Sequence, residues 1–129
     1  MTTISLNKKQ IEKEIEALDA KMQEKIVLTG VEIDHVTSDE IVLDITPNRP
    51  DLLSKSGFLR FIKLYLGKSK IKEYKTNKPE KNYKVIIDSS VKDVRPFTCC
   101  AIIKNLKLDE GKINELIDIQ EKLHFLVEL

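Results

Sequence analysis

Tryptophan is absent from this 129-residue chain, and cysteine and histidine occur only twice each. The two cysteines, Cys99 and Cys100, are neighbours. Vicinal residues on a strand point to opposite faces, which excludes an ordinary disulfide between them. Both are expected to be reduced, one of them buried as a small hydrophobe. His35 and His124 have no H-x-x-x-H or C-x-x-C around them, so the sequence offers no recognisable zinc site. Four glycines and four prolines exclude a collagen-like or flexible-linker protein. Charge of one sign is also lacking: 22 Lys+Arg stand against 21 Asp+Glu, a net +1 that excludes the strongly basic footprint of a dedicated nucleic-acid binder. No apolar run approaches the roughly 18–20 residues of a membrane span. The start, Met1-Thr-Thr-Ile-Ser-Leu6, lacks the basic and long apolar regions of a signal peptide. No G-x-S-x-G, P-loop or dinucleotide glycine pattern occurs. The expectation is a soluble, intracellular, non-membrane chain with no catalytic, cofactor-binding or metal-binding residue of its own.

What is present is a clear alternation of patterns. Thr2–Leu6 is a short β-branched segment that suits a strand. Asn7, three residues before Gln10, opens a helix whose Ile11, Ile15, Leu18 and Met22 form one stripe over residues 8–22. Ile26–Leu28 fits a continued helix, a new helix or a strand, and Gly30 ends it. Val31–Val36 alternates, with Val31, Ile33 and His35 on one face. Thr37–Glu40 supplies turn chemistry and Ile41–Ile45 a second strand, which together predict a β-hairpin over 31–45. His35 reads as a half-exposed strand residue rather than a catalyst.

Thr46-Pro-Asn-Arg-Pro-Asp51 follows. Two prolines stiffen the backbone around Arg49, and Asn48 tolerates unusual dihedrals. Pro50 or Asp51 is expected to open a helix over 51–66 that stops at Gly67. That helix carries one apolar stripe of Leu52, Leu59, Ile62 and Leu66 and a second of Phe58, Phe61 and Tyr65, so it needs packing on two sides. From Lys68 to Asn82 the texture changes to a Lys-rich linker in which Lys70, Lys72, Lys75 and Lys78 are the candidates for contact with RNA phosphates. Tyr83–Asp88 and Phe97–Lys104 then read as strands, the second more buried. A helix starts near Asp109 with Ile113, Leu116, Ile117, Gln120, Leu123 and Val127 on one side. Nothing caps it before Leu129, which predicts a chain cut inside its second domain. The expected architecture is α+β: a small mixed sheet with helices packed on it over residues 1–67, the linker 68–82, and the truncated start of an α/β domain over 83–129.

The segment Leu43-Asp-Ile-Thr-Pro-Asn-Arg-Pro-Asp-Leu-Leu-Ser54, with Gly57 and Arg60 after it, resembles the N-terminal domain of the phenylalanyl-tRNA synthetase β subunit. Asp93-Val-Arg-Pro96 and Ile119-Gln-Glu-Lys-Leu-His124 resemble the start of that subunit's editing domain, in its archaeal and eukaryotic form. The resemblance implies a parent enzyme of two α and two β subunits that charges tRNA with phenylalanine using ATP and Mg²⁺ in the cytoplasm. Its partners would be the α subunit, a second β subunit and tRNA. The family's editing-pocket residues lie beyond this chain, so none is carried over. Two functions compete. One is a structural and assembly piece in which Asn48, Arg49, Asp51, Arg60 and Arg95 act in folding or at an interface. The other is a free-standing tRNA- or nucleic-acid-binding module using residues 68–84. For the first, Asp51 is expected to cap the helix and Arg49 to pair with a carboxylate, partly buried, so that Arg49→Ala costs on the order of 2 kcal/mol.

Overall fold

The computed structural model describes residues 2–78, 83–94 and 96–127, the last three by backbone alone. Contacts divide it into two units, Met1–Ile71 with Leu108–Leu129, and Lys72–Lys107.

The first unit begins with strand β1 (Thr2–Asn7), then helices α1 (Lys8–Glu14) and α2 (Ala20–Val27), then strands β2 (Glu32–Val36) and β3 (Glu40–Ile45). A 3₁₀ turn, Pro50–Leu52, leads into helix α3 (Lys55–Tyr65). The last helix, α4 (Glu110–Val127), belongs to this unit rather than to the segment before it. The α+β class is as expected. Within it the sheet is antiparallel throughout, not mixed, in the order β1-β3-β2. Its central strand is β3, which pairs Ile4 with Leu43 and Leu6 with Ile41 on one side and Ile33 with Leu43 on the other. These apolar positions share one face. They pack with Ile11 of α1, Ile15 just after it, Met22 and Ile26 of α2 and Phe58, Leu59 and Ile62 of α3 in a single core.

Three local readings are corrected. The stripe over 8–22 is two helices, not one. Asp19, in an extended conformation, accepts a hydrogen bond from Met22 N at 2.8 Å and caps α2. An unbroken helix over 8–27 would be about 30 Å long at about 1.5 Å per residue. The six-residue strands run only about 20 Å at about 3.4 Å per residue. Breaking the helix keeps Ile11, Ile15, Leu18, Met22 and Ile26 all buried over the sheet. In β2 a bulge between Ile33 and His35 shifts the register, so Val36 pairs with Ile41 and His35 with Val42. One extra residue exchanges faces. Ile33 and Val36 therefore pack on the core, and His35 turns to the other face, beside Asp34 and Glu40.

The third correction concerns residues 51–66. Pro50–Leu52 is a separate 3₁₀ turn, and Ser54, not Asp51, caps α3, its Oγ accepting from Gly57 N at 3.0 Å. The helix closes as expected at Gly67, whose φ of +69° lets Lys68 N reach Lys63 O and Gly67 N reach Leu64 O.

Helix α4 docks through polar groups. Glu115 Oε1 accepts from Ser56 N at 2.9 Å, and Lys122 Nζ donates to Leu53 O at 3.3 Å. Its apolar Ile113, Leu116, Ile117 and Leu123 remain largely exposed.

In the second unit, the described residues of 83–88 and 97–104 form no strand, against expectation, and Cys99 and Cys100 are both exposed rather than one of them buried. A strand needs a neighbour to take its N–H and C=O groups. No described residue supplies one here. The regular structure in this unit is a 3₁₀ turn, Ser89–Val91, whose Ser90 N donates to Asp88 Oδ1. No helix among the described residues is long and apolar enough to cross a membrane.

Candidate functional site

The corner between β3 and α3 is where the sequence placed its candidate residues. Its shape follows from proline and hydrogen bonding. Pro47 and Pro50 restrict the backbone, Arg49 N donates to Thr46 O at 3.0 Å, and Leu52 N donates to Arg49 O at 3.0 Å, giving two successive tight turns. Leu52 and Leu53 are buried beneath. With the backbone pinned from below, the polar side chains of Asn48, Arg49 and Asp51 point outward.

Arg49 grips Asp51 with two parallel bonds, Nε to Oδ1 at 3.0 Å and Nη2 to Oδ2 at 2.9 Å. Its guanidinium lies 4.7 Å from the ring centroid of Phe61, on the second turn of α3. A planar fork that pairs at its edge and stacks on its face is what arginine provides and lysine does not. The hydrogen bonds from Arg49 hold the Asp51 carboxyl below the ordinary aspartate range, with some opposition from burial and further help from the charge of Arg60. The same pairing raises the Arg49 guanidinium. Asn48 Oδ1 accepts from Thr46 Oγ1 at 2.5 Å. Arg60 is exposed on α3, on the Asp51 side. Arg49, Asp51 and Arg60 are thus brought together. Arg95 lies outside the described residues. Lys70, Lys75 and Lys78 are exposed in segments without helix or strand, and Lys72 Nζ sits 5.7 Å from the Tyr74 ring centroid.

The sequence reading missed the stacking of Arg49 on Phe61 and the cap at Ser54. The second had a signal, a serine three residues before the first glycine of the helix; the first had none, since it depends on how α3 is turned.

Chemically, this corner is suited to holding and binding. Its carboxylate is held by an arginine and its pKa lies below the ordinary aspartate range, so it is a poor base near neutral pH. Around His35 the composition is more suggestive than the geometry. Nδ1 is 2.8 Å from Asp34 Oδ2, Nε2 is 3.9 Å from Glu40 Oε1, and Glu40 accepts from Ser5 Oγ. The serine bonds the glutamate and not the imidazole, so no Ser–His pair forms. No group of three or more His, Cys, Asp or Glu among the described residues could hold a metal ion.

The Arg49–Asp51 side chains are 33% and 45% exposed. An exposed pair contributes about 0–1 kcal/mol and an exposed cation–π contact about 0.5–1 kcal/mol. Arg49→Ala is therefore expected to cost about 1 kcal/mol in a denaturant melt, less than burial would have given. Because the folded Asp51 pKa is depressed, its share is full above the unfolded pKa of about 3.9 and is lost as pH falls through the lower folded value. The wild-type advantage over Arg49→Ala should shrink over that acid window and stay flat from pH 5 to 8.

A yeast relative decides the affiliation. The phenylalanine–tRNA ligase β subunit of Saccharomyces cerevisiae is 33% identical over 135 aligned residues, covering 96% of this chain. The chain is homologous to the N-terminal part of phenylalanine–tRNA ligase β subunits. The β subunit of Methanocella arvoryzae is 32% identical over 96% of the chain. Among solved structures, an N-terminal fragment of the phenylalanyl-tRNA synthetase β subunit from Pyrococcus horikoshii matches with a TM-score of 0.78 and 30% identity, covering 98% of this chain and 38% of that one. No family model matches. The chain spans 22% of the yeast β subunit and 23% of the Methanocella one. The relatives are eukaryotic and archaeal, the type that the residues around Asp93 and Gln120 resemble.

Proposed function

We propose that this chain is the N-terminal structural and assembly portion of a phenylalanine–tRNA ligase β subunit. In this reading it supports, in the cytoplasm, ATP- and Mg²⁺-dependent charging of tRNA with phenylalanine by a complex of two α and two β subunits. Residues 83–129 are then, in sequence, the start of the editing-type domain, with α4 packed back on the first unit, and 68–82 the linker to it. What supports this is the match along 98% of the chain to an N-terminal β-subunit fragment. The corner chemistry agrees. Arg49, Asp51, Asn48 and Arg60 form a rigid, charged projection on a well-packed base, suited to meeting a neighbouring subunit or domain. The chain itself contributes no group to ATP, Mg²⁺ or the reacting atoms.

Four measurements test this. Co-expressed with the synthetase α subunit, the tagged full chain should retain α through a size-exclusion column, and loss of α at moderate salt would overturn the assembly role. The chain alone should show neither ATP–pyrophosphate exchange with phenylalanine nor deacylation of mischarged tRNA. Turnover above background in either assay would reveal a site in these residues. Strong tRNA binding without α, falling steeply with salt and lost on neutralising Lys70, Lys72, Lys75 and Lys78, would favour the nucleic-acid module instead.

A further inference from the structure

The two edges of the sheet differ. β2 carries the bulge between Ile33 and His35 and the charges of Glu32 and Asp34, features that blunt an edge against further pairing. β1 has neither. Its six residues are uncharged and pair with β3 in one unbroken register, from Thr2 opposite Ile45 to Asn7 opposite Glu40. Every second residue of such a strand turns its N–H and C=O away from the neighbour. Between Thr2 and Leu6 no described residue bonds the groups so turned. A cleft of about 870 Å³ is lined by Ile4, Ser5 and Leu6 together. Successive strand residues face opposite sides of a sheet, and here Ile4 and Leu6 lie in the core while Ser5 bonds Glu40 on the outer face. Three in a row therefore meet one cleft along the strand's edge. The opposite wall is α4, which Glu115 and Lys122 hold to the segment leading into α3. Most charges in the cleft are matched: Lys63 with Glu14, Lys112 with Asp109 and Lys122 with Asp118. Two cations are left over. Lys55 bonds the neutral amide of Gln10 at 2.6 Å, and Arg60 makes no hydrogen bond or ion pair among the described residues.

We propose that the β1 edge is a docking site for an extended acidic segment of a partner protein, which adds as a fourth strand and sets its carboxylates against Lys55 and Arg60. The edge supplies main-chain hydrogen bonds, and the two cations supply the selectivity. An added strand lies about 4.8 Å from its neighbour, which places it inside the cleft. Three features of the site choose this occupant. The unmatched charge is positive, so the complementary segment is acidic. The far wall is α4, so one extended segment enters where the edge of a second copy would bring its own α4 against this one. The edge alternates donors with acceptors, a pattern that another peptide backbone matches and a row of phosphates, acceptors only, does not.

The test uses the full chain and two blocked heptapeptides, one alternating valine with glutamate and one alternating valine with lysine, titrated by fluorescence anisotropy. The glutamate peptide should bind at least about 10-fold tighter, by a margin that shrinks as salt is added. Hydrogen exchange locates the contact. In the chain alone, the edge amides of residues 2–6 should exchange fast and those paired with β3 slowly. With the glutamate peptide at about ten times its Kd, the edge amides should slow by about 10-fold. Lys55→Glu with Arg60→Glu, both outside the core, should leave the urea melt cooperative and reverse the preference, so that the lysine peptide binds the tighter. No binding by the glutamate peptide, equal affinity for the two peptides, binding without slowing of the edge amides, or a preference that the double variant leaves unchanged would each overturn the proposal. Edge protection that rises with chain concentration and no peptide would assign the edge to a second copy. Edge protection by tRNA would assign it to nucleic acid. Either result also overturns the proposal. Retention of the α subunit is read separately, so this site and the assembly role can fail independently.

Discussion

Replacing Phe58 by alanine should cost about 3–5 kcal/mol, the range for deleting a fully buried aromatic ring. Phe58 is 0% exposed and sits on the first turn and a half of α3, in the cluster that joins Leu43 and Ile45 of the sheet to Ile11 and Met22 of the helices. No neighbouring element is free to collapse into the space, because the sheet holds one side and the Leu52–Leu53 pair is itself locked by the proline-bounded turns. Small domains have about 5–15 kcal/mol in total, so the variant should lose a large share of its stability. Equilibrium urea unfolding followed by circular dichroism measures it. A loss under about 1 kcal/mol would mean that α3 does not seat on the sheet as described.

Gly57→Ala should be destabilising by about 2–3 kcal/mol, an overpacking penalty, although alanine at an ordinary helix position is stabilising by about 0.5–1 kcal/mol relative to glycine. A Cβ at Gly57 would lie 2.2 Å from the carbonyl oxygen of Asp51 and 3.1 Å from Ser54 Oγ. The obstacle is backbone, and that backbone cannot retreat without lifting Leu52 and Leu53, each 1% exposed, out of the core. The substitution should also displace Asp51 and loosen its grip by Arg49. A urea melt decides the sign. Gly57→Ser should be at least as harmful, since it adds an atom at the same place. If Gly57→Ala were stabilising, as the average helix glycine would suggest, the close approach of the 3₁₀ turn to α3 would be refuted.

These two neighbours explain why the Thr46–Arg60 segment reads so distinctly. Pro47 and Pro50 set the turns, Ser54 caps the helix, Gly57 admits the turn against it, and Phe58 anchors the result. Arg49 and Asp51 are displayed on top. The residues that give the segment its recognisable sequence are thus mostly those that build the corner, and its charged pair is left partly exposed.

Much of this was legible in the amino-acid sequence by itself. The strand at 2–6, the hairpin over 31–45, the helical stripe that ends at Gly67 and the family affiliation all follow from local signals. Alternation, turn residues, a positive-φ glycine and a proline-bracketed motif act over a few residues, and nearby atoms settle them. The tertiary structure alone decided the rest. Whether residues 8–27 form one helix or two depended on the length of the sheet they cover. Whether His35 or Val36 faces the core depended on a bulge opposite β3. Arg49 found Phe61 because α3 packs at one particular rotation. The clearest case is residues 83–88 and 97–104, where the strand pattern is written in the sequence and no strand forms among the described residues. A helix satisfies its own backbone, so sequence near at hand can specify it; a strand's hydrogen bonds belong to its neighbour, and without one the pattern stays a capacity.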